Sequence, residues 1–326
     1  MDEHKQKKPF AISMRLLLLV YTVIPFVFLL ILIDQVALHG FIRDTIGITA
    51  TNAPIYVLFL ELPHIIGSFI SYADSEYLQF YRRRLFVRLP ALLLLTLIVV
   101  HFNVIVGFAI YLVYTMYHAI KQQTGIAGIF VAPTSRMHAI WSYAAIIFGV
   151  VGNFYVFAPQ VTAYLPVRTG LFSFLAVLFA CLSLIYCAVL LRRMSTLLGL
   201  SYVLATSLML IGSYACVMAG YLFFAIFLIR FVHDTTAFIF YTVHDSNRNA
   251  EQAKNFLYKI IKPFRMPIVL ITPALGIVIA YVLQRNGLTY SQSAAAVILL
   301  GFTHYYIESF MWKRDSIHRK QLRFVH

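Results

Sequence analysis

Charged residues are scarce in this sequence: Asp, Glu, Lys and Arg make up 12% of its 326 residues, whereas 61% are apolar. A soluble domain of this length would carry about 25% charged residues, so the composition excludes an ordinary soluble protein. Cysteine is also rare, with Cys181, Cys187 and Cys216 all lying inside apolar runs. These three residues provide neither a disulfide framework nor a thiolate metal motif.

Acidic residues are outnumbered by basic ones, 12 against 26, which gives a formal net charge of +14. The basic residues cluster in short segments between apolar runs, the pattern of cytoplasmic loops that face anionic lipid. The charge therefore predicts contact with membrane lipids and no nucleic-acid partner. A small-residue cleavage site is also lacking after the basic start, so we expect the first apolar run to be a retained span.

The repeated apolar runs predict an all-α fold, a polytopic integral membrane helical bundle of about ten transmembrane helices. With both termini cytoplasmic, the heavily basic segments all fall on one side of the membrane. We expect one transmembrane domain over residues 1–326, with a basic cytoplasmic N-terminus at 1–15 and a cytoplasmic tail at 313–326. The predicted localisation is the cell inner or plasma membrane. The predicted spans are 16–38, 53–72, two within 86–120, 138–158, 169–191, two within 197–245, 267–284 and 293–312.

Turn signals predict where the two longest apolar stretches break. The first break is expected near His101–Asn103 and the second around Ser213–Gly220. Gly and Pro residues predict a loop over Lys121–Met137. Histidines of the two tails, including His318, are expected to be solvated.

The segment 227–247 combines an apolar span with ionisable residues. At about 100° per residue, one stripe carries Arg230, His233, Asp234, Tyr241, His244 and Asp245. His233 and His244 are separated by about 16 Å of helical rise, so one ion with bonds of about 2 Å cannot bind both. Ionisable groups within a bilayer normally mark function. The alternative is a purely structural seam held by an Arg230–Asp234 pair at i, i+4.

Histidines from different spans are predicted to converge in the cytoplasmic half of the bundle. We expect His64, His118, His233 and His304 to be metal ligands, with His244 as a further candidate. Carboxylates stand beside three of them and are expected to have catalytic, ligating or orienting roles: Glu61, Asp234 and Glu308. Gln122, one turn after His118, is a candidate orienting partner. Nitrogen and oxygen ligands without thiolate favour iron, manganese or zinc, and non-haem Fe²⁺ is the predicted cofactor.

Four short patches resemble those of a known family. They are Leu62-Pro63-His64 followed by Asp74, His118 at a helix end, FVHDTTAFIF around His233, and HYYIESFMWK from His304. In this order they resemble the bacterio-opsin-related-protein family, the bacterial and archaeal membrane β-carotene dioxygenases. The resemblance implies that His64, His118 and His233 bind iron and that oxygen splits a polyene into two aldehydes. The sequence departs from the family at Ala237, where the third patch would carry another histidine, and by a whole extra span before the first patch.

The residues thus predict an integral-membrane, metal-dependent oxygenase or oxidoreductase acting on a lipophilic substrate that is carotenoid- or lipid-like, with an electron-donor protein that the sequence does not identify. Other readings use the same residues. A proton- or metal-ion-coupled transporter would use the histidines and carboxylates as a relay. A haem-binding protein would use a histidine pair, and an assembly factor would use the histidines for structure alone.

Overall fold

The computed structural model describes residues 9–46, 62–130, 136–157, 168–193, 196–261, 267–285, 290–313 and 315–325. The described residues are about 86% helical with almost no strand, so the all-α prediction is confirmed. Strands β1 (Ile12–Ser13) and β2 (Phe324–Val325) form one short parallel pair. The helices are α1 (Met14–Val36), α2 (Phe41–Thr45), α3 (Leu62–Ile70), α4 (Ser75–Phe80), α5 (Leu89–Phe102, after a π-helical turn at Arg84–Arg88), α6 (Val104–Ala127), α7 (Arg136–Phe157), α8 (Arg168–Arg192), α9 (Leu197–Met218), α10 (Leu222–Arg248), α11 (Phe256–Ile261), α12 (Ile268–Arg285) and α13 (Tyr290–Met311).

Six helices among the described residues are long and apolar enough to cross a membrane. Their surfaces are apolar as well, and Leu94 of α5 keeps 60% of its side chain exposed. A contiguous exposed apolar surface of this kind is unfavourable in water and is typical of lipid-facing helices. The chain is therefore a multi-pass membrane protein. The six segments are Met14–Val36, Arg84–Phe102, Arg136–Phe157, Gly170–Arg192, Leu197–Met218 and Leu222–Arg248.

Both predicted breaks in the long apolar stretches are confirmed. Asn103 has extended backbone between α5 and α6, and its Oδ1 accepts hydrogen bonds from the N–H groups of Ile105 and Val106, each at 3.1 Å. This caps the start of α6. The second break lies at Gly220, whose φ of 82° is a left-handed conformation that favours glycine.

The predicted loop at Lys121–Met137 is wrong in its first part, because α6 continues to Ala127. Burial explains the difference. Ile126 and Ala127 are buried, so the apolar face of the helix extends beyond Gly125. Residues 131–135, 47–61 and 262–266 lie outside the described residues, and so does the beginning of the predicted second span.

Contacts divide the chain into two compact units, of which the first is Met1–Met14, Ile55–Tyr111 and Asp234–His326. In this unit α3 packs closely on α12, where a Cβ on Gly276 would meet the backbone oxygen of Pro63 at 2.9 Å. Gly301 of α13 likewise admits the ring of Tyr111. These close approaches fix α3 and α13, the helices that carry His64 and His304.

The second unit is Arg15–Pro54 and Leu112–His233. Its core is tied by buried polar contacts: Tyr21 Oη donates to Gln123 Oε1 at 2.9 Å and lies 3.0 Å from Thr206 Oγ1. The indole nitrogen of Trp141 donates to Ser183 and Ser207, both at 3.2 Å. Such bonds satisfy buried polar groups between helices. The bond from Tyr21 to Gln123 holds α6, which carries His118, against α1.

Candidate metal centre

The first unit contributes two buried histidines that face each other. The rings of His64 on α3 and His304 on α13 are both fully buried, with centroids 4.4 Å apart and planes at 83°. His64 Nδ1 lies 3.0 Å from Asp234 Oδ1, and His304 Nδ1 lies 3.0 Å from Ser68 Oγ. Each imidazole is therefore oriented by an oxygen of a neighbouring residue.

The second unit contributes another pair of the same kind. The ring centroids of His118 on α6 and His233 on α10 are 4.9 Å apart and their planes meet at 85°. His233 Nδ1 lies 2.8 Å from Gln122 Oε1. Gln122 therefore orients a histidine as expected, but the histidine is His233 rather than His118.

The four histidines form a cluster. One ring nitrogen from each of His64, His118, His233 and His304 lies within 4.8 Å of the others. The structure thus shows a cluster of these histidines. Its position in the cytoplasmic half of the bundle and the role of its members as metal ligands stay predictions.

Hydrogen-bond chemistry assigns a tautomer to two of the rings. The amide oxygen of Gln122 can only accept, and the hydroxyl of Ser68 donates to the Ile65 carbonyl at 2.6 Å. The protons of His233 and His304 are therefore favoured on Nδ1. In a neutral imidazole, Nε2 then carries the lone pair that a metal binds. An acceptor on the far side of a ligating histidine is the usual arrangement in metal sites, so these residues fit a divalent transition metal.

The carboxylates predicted beside the histidines occupy different places. Asp234 contacts His64, as described above. Glu308 Oε1 accepts hydrogen bonds from Tyr241 Oη and, at 3.0 Å, from Trp312 Nε1, and thus belongs to a neighbouring group rather than to the four-histidine set. Glu61 lies outside the described residues.

His244 is not one of the four clustered histidines and belongs to a second buried polar network in the first unit. Its Nδ1 lies 2.8 Å from Asp245 Oδ1 and its Nε2 3.0 Å from Tyr77 Oη. Asp245 Oδ2 in turn accepts from the hydroxyl groups of Tyr258, at 3.0 Å, and Thr272. Both ring nitrogens of His244 are thus engaged by protein groups.

The expectation that His318 is solvated is wrong, since its side chain is fully buried. Its ring stacks on His244 at 4.9 Å and lies 4.0 Å from the ring of Tyr77, and its Nε2 lies 3.2 Å from Ser71 Oγ. Burial, with His244 and Arg248 nearby, lowers the pKa of His318 far below its ordinary value. The tail is held over this ring by Asn247, whose Nδ2 donates to the carbonyls of Phe10 and Gln321. Nothing in the sequence of a basic tail signals such docking.

Sequence reasoning also missed Ser68 and Trp312. Their positions carried a signal, since Ser68 lies one turn after His64, and Trp312 one turn after Glu308 and two after His304. Chemically, the cluster offers four imidazoles and no thiolate, a donor set suited to iron, zinc, copper or nickel. No protein-family model matches the chain, and no curated protein or solved structure is significantly similar to it.

Proposed function

We propose that the protein is an integral-membrane non-haem iron oxygenase or oxidoreductase that acts on a lipophilic substrate. The observation that carries the proposal is the approach of four histidine nitrogens to within 4.8 Å of one another, in a chain whose described residues include six apolar helices of membrane-spanning length. Lone membrane histidines commonly serve as helix-to-helix hydrogen-bonding groups. Four imidazoles with nitrogens this close, three of them with an oxygen about 3 Å from Nδ1, are better explained by a cation.

The residues of this chain would perform distinct tasks at such a site. His64, His118, His233 and His304 would bind the ion through Nε2. Gln122 and Ser68 would hold the protons of His233 and His304 on Nδ1, and Asp234, whose Oδ1 lies 3.0 Å from His64 Nδ1, would help to fix the direction of that ring. Iron, when bound, would supply redox chemistry and activate oxygen.

A substrate that partitions into lipid fits the surroundings of these residues. The helices that carry the histidines belong to an apolar, multi-pass chain, so a carotenoid- or lipid-like molecule would approach through the bilayer rather than from water. The resemblance of the histidine patches to membrane β-carotene dioxygenases points to the same class of substrate. Cleavage of a polyene by oxygen is therefore the first reaction to assay.

We further propose that the protein has about ten spans and that both of its termini lie in the cytoplasm. The proposed location is the cell inner or plasma membrane. Single cysteines at Asp44 and Lys320, in a variant without the three natural cysteines, test the orientation with a membrane-impermeant thiol reagent. On intact spheroplasts, labelling at position 44 and protection at position 320 are expected. The opposite labelling would overturn the orientation and leave the metal proposal intact.

Metal analysis tests the function most directly. Protein purified in detergent from iron-supplemented cells is expected to hold about one equivalent of iron, which a chelator should remove. Less than about a tenth of an equivalent of any transition metal would end the proposal. His64→Gln and His233→Gln should lose the metal while folded protein is retained. His138→Gln is the matched control, because His138 contacts Tyr186 at 2.9 Å and is not one of the four clustered histidines.

A proton-coupled transporter is the second candidate, and one observation favours it. The buried network of Tyr77, His244, Asp245, Tyr258 and Thr272 provides a second set of linked exchangeable protons in the first unit. Proton flux into vesicles that depends on His244 and not on His64 would support this function. If the protein is an oxygenase, its oxygenase activity should instead depend on His64 and not on His244.

A further inference from the structure

One stripe of α13 carries three chemically distinct side chains at successive turns. His304, Glu308 and Trp312 stand at i, i+4 and i+8, with Trp312 directly after the last helical residue. This spacing places a candidate metal ligand, a carboxylate and an indole on one helical face. The stripe runs from the fully buried His304 to the half-buried Trp312.

Tyr241 of α10 links the members of this stripe. Its ring lies 6.3 Å from the His64 ring at an angle of 26°, and 5.6 Å from the ring of Trp312. Its hydroxyl donates to Glu308 Oε1, the oxygen that also accepts from Trp312 Nε1. The ring of this buried phenol thus lies near a candidate ligand and near an indole, and a carboxylate is placed to take its proton.

Two further rings lie near the indole of Trp312. The centroids of His244, on α10, and His318, in the docked tail, lie 6.1 and 6.2 Å from that of Trp312. Because Trp312 is only half-buried, a reductant from the aqueous side can return an electron to its oxidised indole.

We propose that Tyr241 and Trp312 form a one-electron relay between the metal centre and the half-buried indole. The proposal rests on the proposed function, since it needs a redox metal at His64 and His304. The role of the relay is to remove an oxidising equivalent that would otherwise damage the metal centre when no substrate is bound. The final electron comes from a one-electron reductant of the aqueous phase, such as ascorbate or a flavoprotein.

The electrons and protons balance with hydrogen peroxide as the test oxidant. Peroxide takes one electron from Fe²⁺ and one from Tyr241 and, with two protons from solvent, leaves as two waters. The phenolic proton of Tyr241 moves to the Glu308 carboxylate, which gives Fe³⁺, a neutral tyrosyl radical and a protonated Glu308. An electron from Trp312 and return of the proton from Glu308 restore the phenol, and the reductant then restores the indole.

The test is freeze-quench electron paramagnetic resonance of the iron-loaded protein after mixing with peroxide, with iron measured in the same samples. A tyrosyl signal is expected in the natural protein, and it should narrow when ring-deuterated tyrosine is incorporated. Tyr241→Phe should lower the signal at least fivefold at equal iron content. Trp312→Phe should lengthen the lifetime of the tyrosyl radical, because the next electron donor is removed.

Tyr258→Phe is the matched control, since Tyr258 is also a buried tyrosine that donates to a carboxylate, Asp245. This variant should keep the signal. Iron-loaded natural protein without a protein radical, or equal loss in the two tyrosine variants, would overturn the relay alone. Protein that binds no metal would overturn both the relay and the proposed function, so the two failures are distinguishable.

Discussion

Gln122 accepts a hydrogen bond from His233 across two helices, with 2.8 Å between the amide oxygen and Nδ1. Gln122 Oε1 also accepts from Gln123 Nε2 at 3.1 Å. The neighbouring amide thereby fixes which end of Gln122 faces the histidine. A residue of α6 thus sets the proton position of a ring on α10.

Gln122→Leu removes this acceptor, and we expect the affinity for iron to fall about 10- to 100-fold. Without it the His233 ring is free to rotate and to place its proton on Nε2. Chelator competition on purified protein measures the affinity. Gln122→Glu keeps an acceptor and should bind iron more tightly than the leucine variant; equal losses would contradict an orienting role.

Asp234→Asn should have a similar effect at His64. The amide can turn its NH₂ group toward Nδ1, which favours the tautomer with the proton on Nε2 and weakens binding of a cation there. We expect about a tenfold or greater loss in iron affinity, with helix content by circular dichroism unchanged. Iron affinity equal to that of the natural protein would show that Asp234 has no part in orienting His64.

The docked tail should be sensitive to acid through His318. Its pKa is lowered by burial, so a released tail binds the proton more readily than the docked one. Docking is therefore strongest above the ordinary histidine pKa of about 6.5 and weakens as the pH falls below it, by up to about 1.4 kcal/mol per pH unit. Hydrogen exchange of residues 316–325 between pH 7.5 and 5 measures this.

His318→Gln should weaken docking at neutral pH and flatten its dependence on pH. Tyr81→Phe removes a hydroxyl 3.4 Å from His318 Nδ1 but keeps the histidine, so the pH dependence should remain. If the protection of the tail from hydrogen exchange depended on pH as steeply in the His318→Gln variant as in the natural protein, a group other than His318 would be responsible for the pH dependence.

Asp74 joins two elements of the first unit and should be important for stability. Its Oδ1 accepts from the Glu76 N–H at 2.9 Å and caps α4, while its Oδ2 accepts from Arg248 Nε at 2.7 Å. Asp74→Ala loses the cap and weakens the pairing of a largely buried guanidinium, so we expect a loss of about 2 kcal/mol or more in the free energy of unfolding. Thermal unfolding in detergent measures the change.

Glu76→Gln is the control for Asp74. Glu76 contacts the same arginine at 2.5 Å, but 57% of its side chain is exposed. Water screens such a pair, so its removal should shift the unfolding temperature much less than Asp74→Ala does. A larger shift for Glu76→Gln would indicate that the exposed pair carries the stability.

The histidine cluster could be predicted from the sequence because two strong rules act together. The cost of a polar group in lipid turns histidines inward, and the charge pattern of the loops assigns each of them a depth. These two rules predict that His64 and His304 lie close together although the two residues are far apart in the chain.

The partners of the histidines were harder to predict. Gln122 was paired with His118 by helical spacing, but it reaches His233 of another helix, and a distance across helices is not encoded in the spacing along one. His318 was expected in water because basic tails usually are. Its burial depends on a pocket formed by Tyr77, Ser71 and His244, which only the tertiary fold assembles.

The discontinuity of the first unit has a consequence for biosynthesis. Its residues come from the start, the middle and the end of the chain, and His304 is made last of the four clustered histidines. A ribosome must therefore translate the other three histidines and the helices that carry them before the fourth imidazole exists. Because chains fold in the order of their synthesis, nascent protein would enter the membrane before the proposed iron site is complete. Iron delivery would then be a late maturation step, and cells starved of iron should accumulate an inserted apoprotein that can be loaded afterwards.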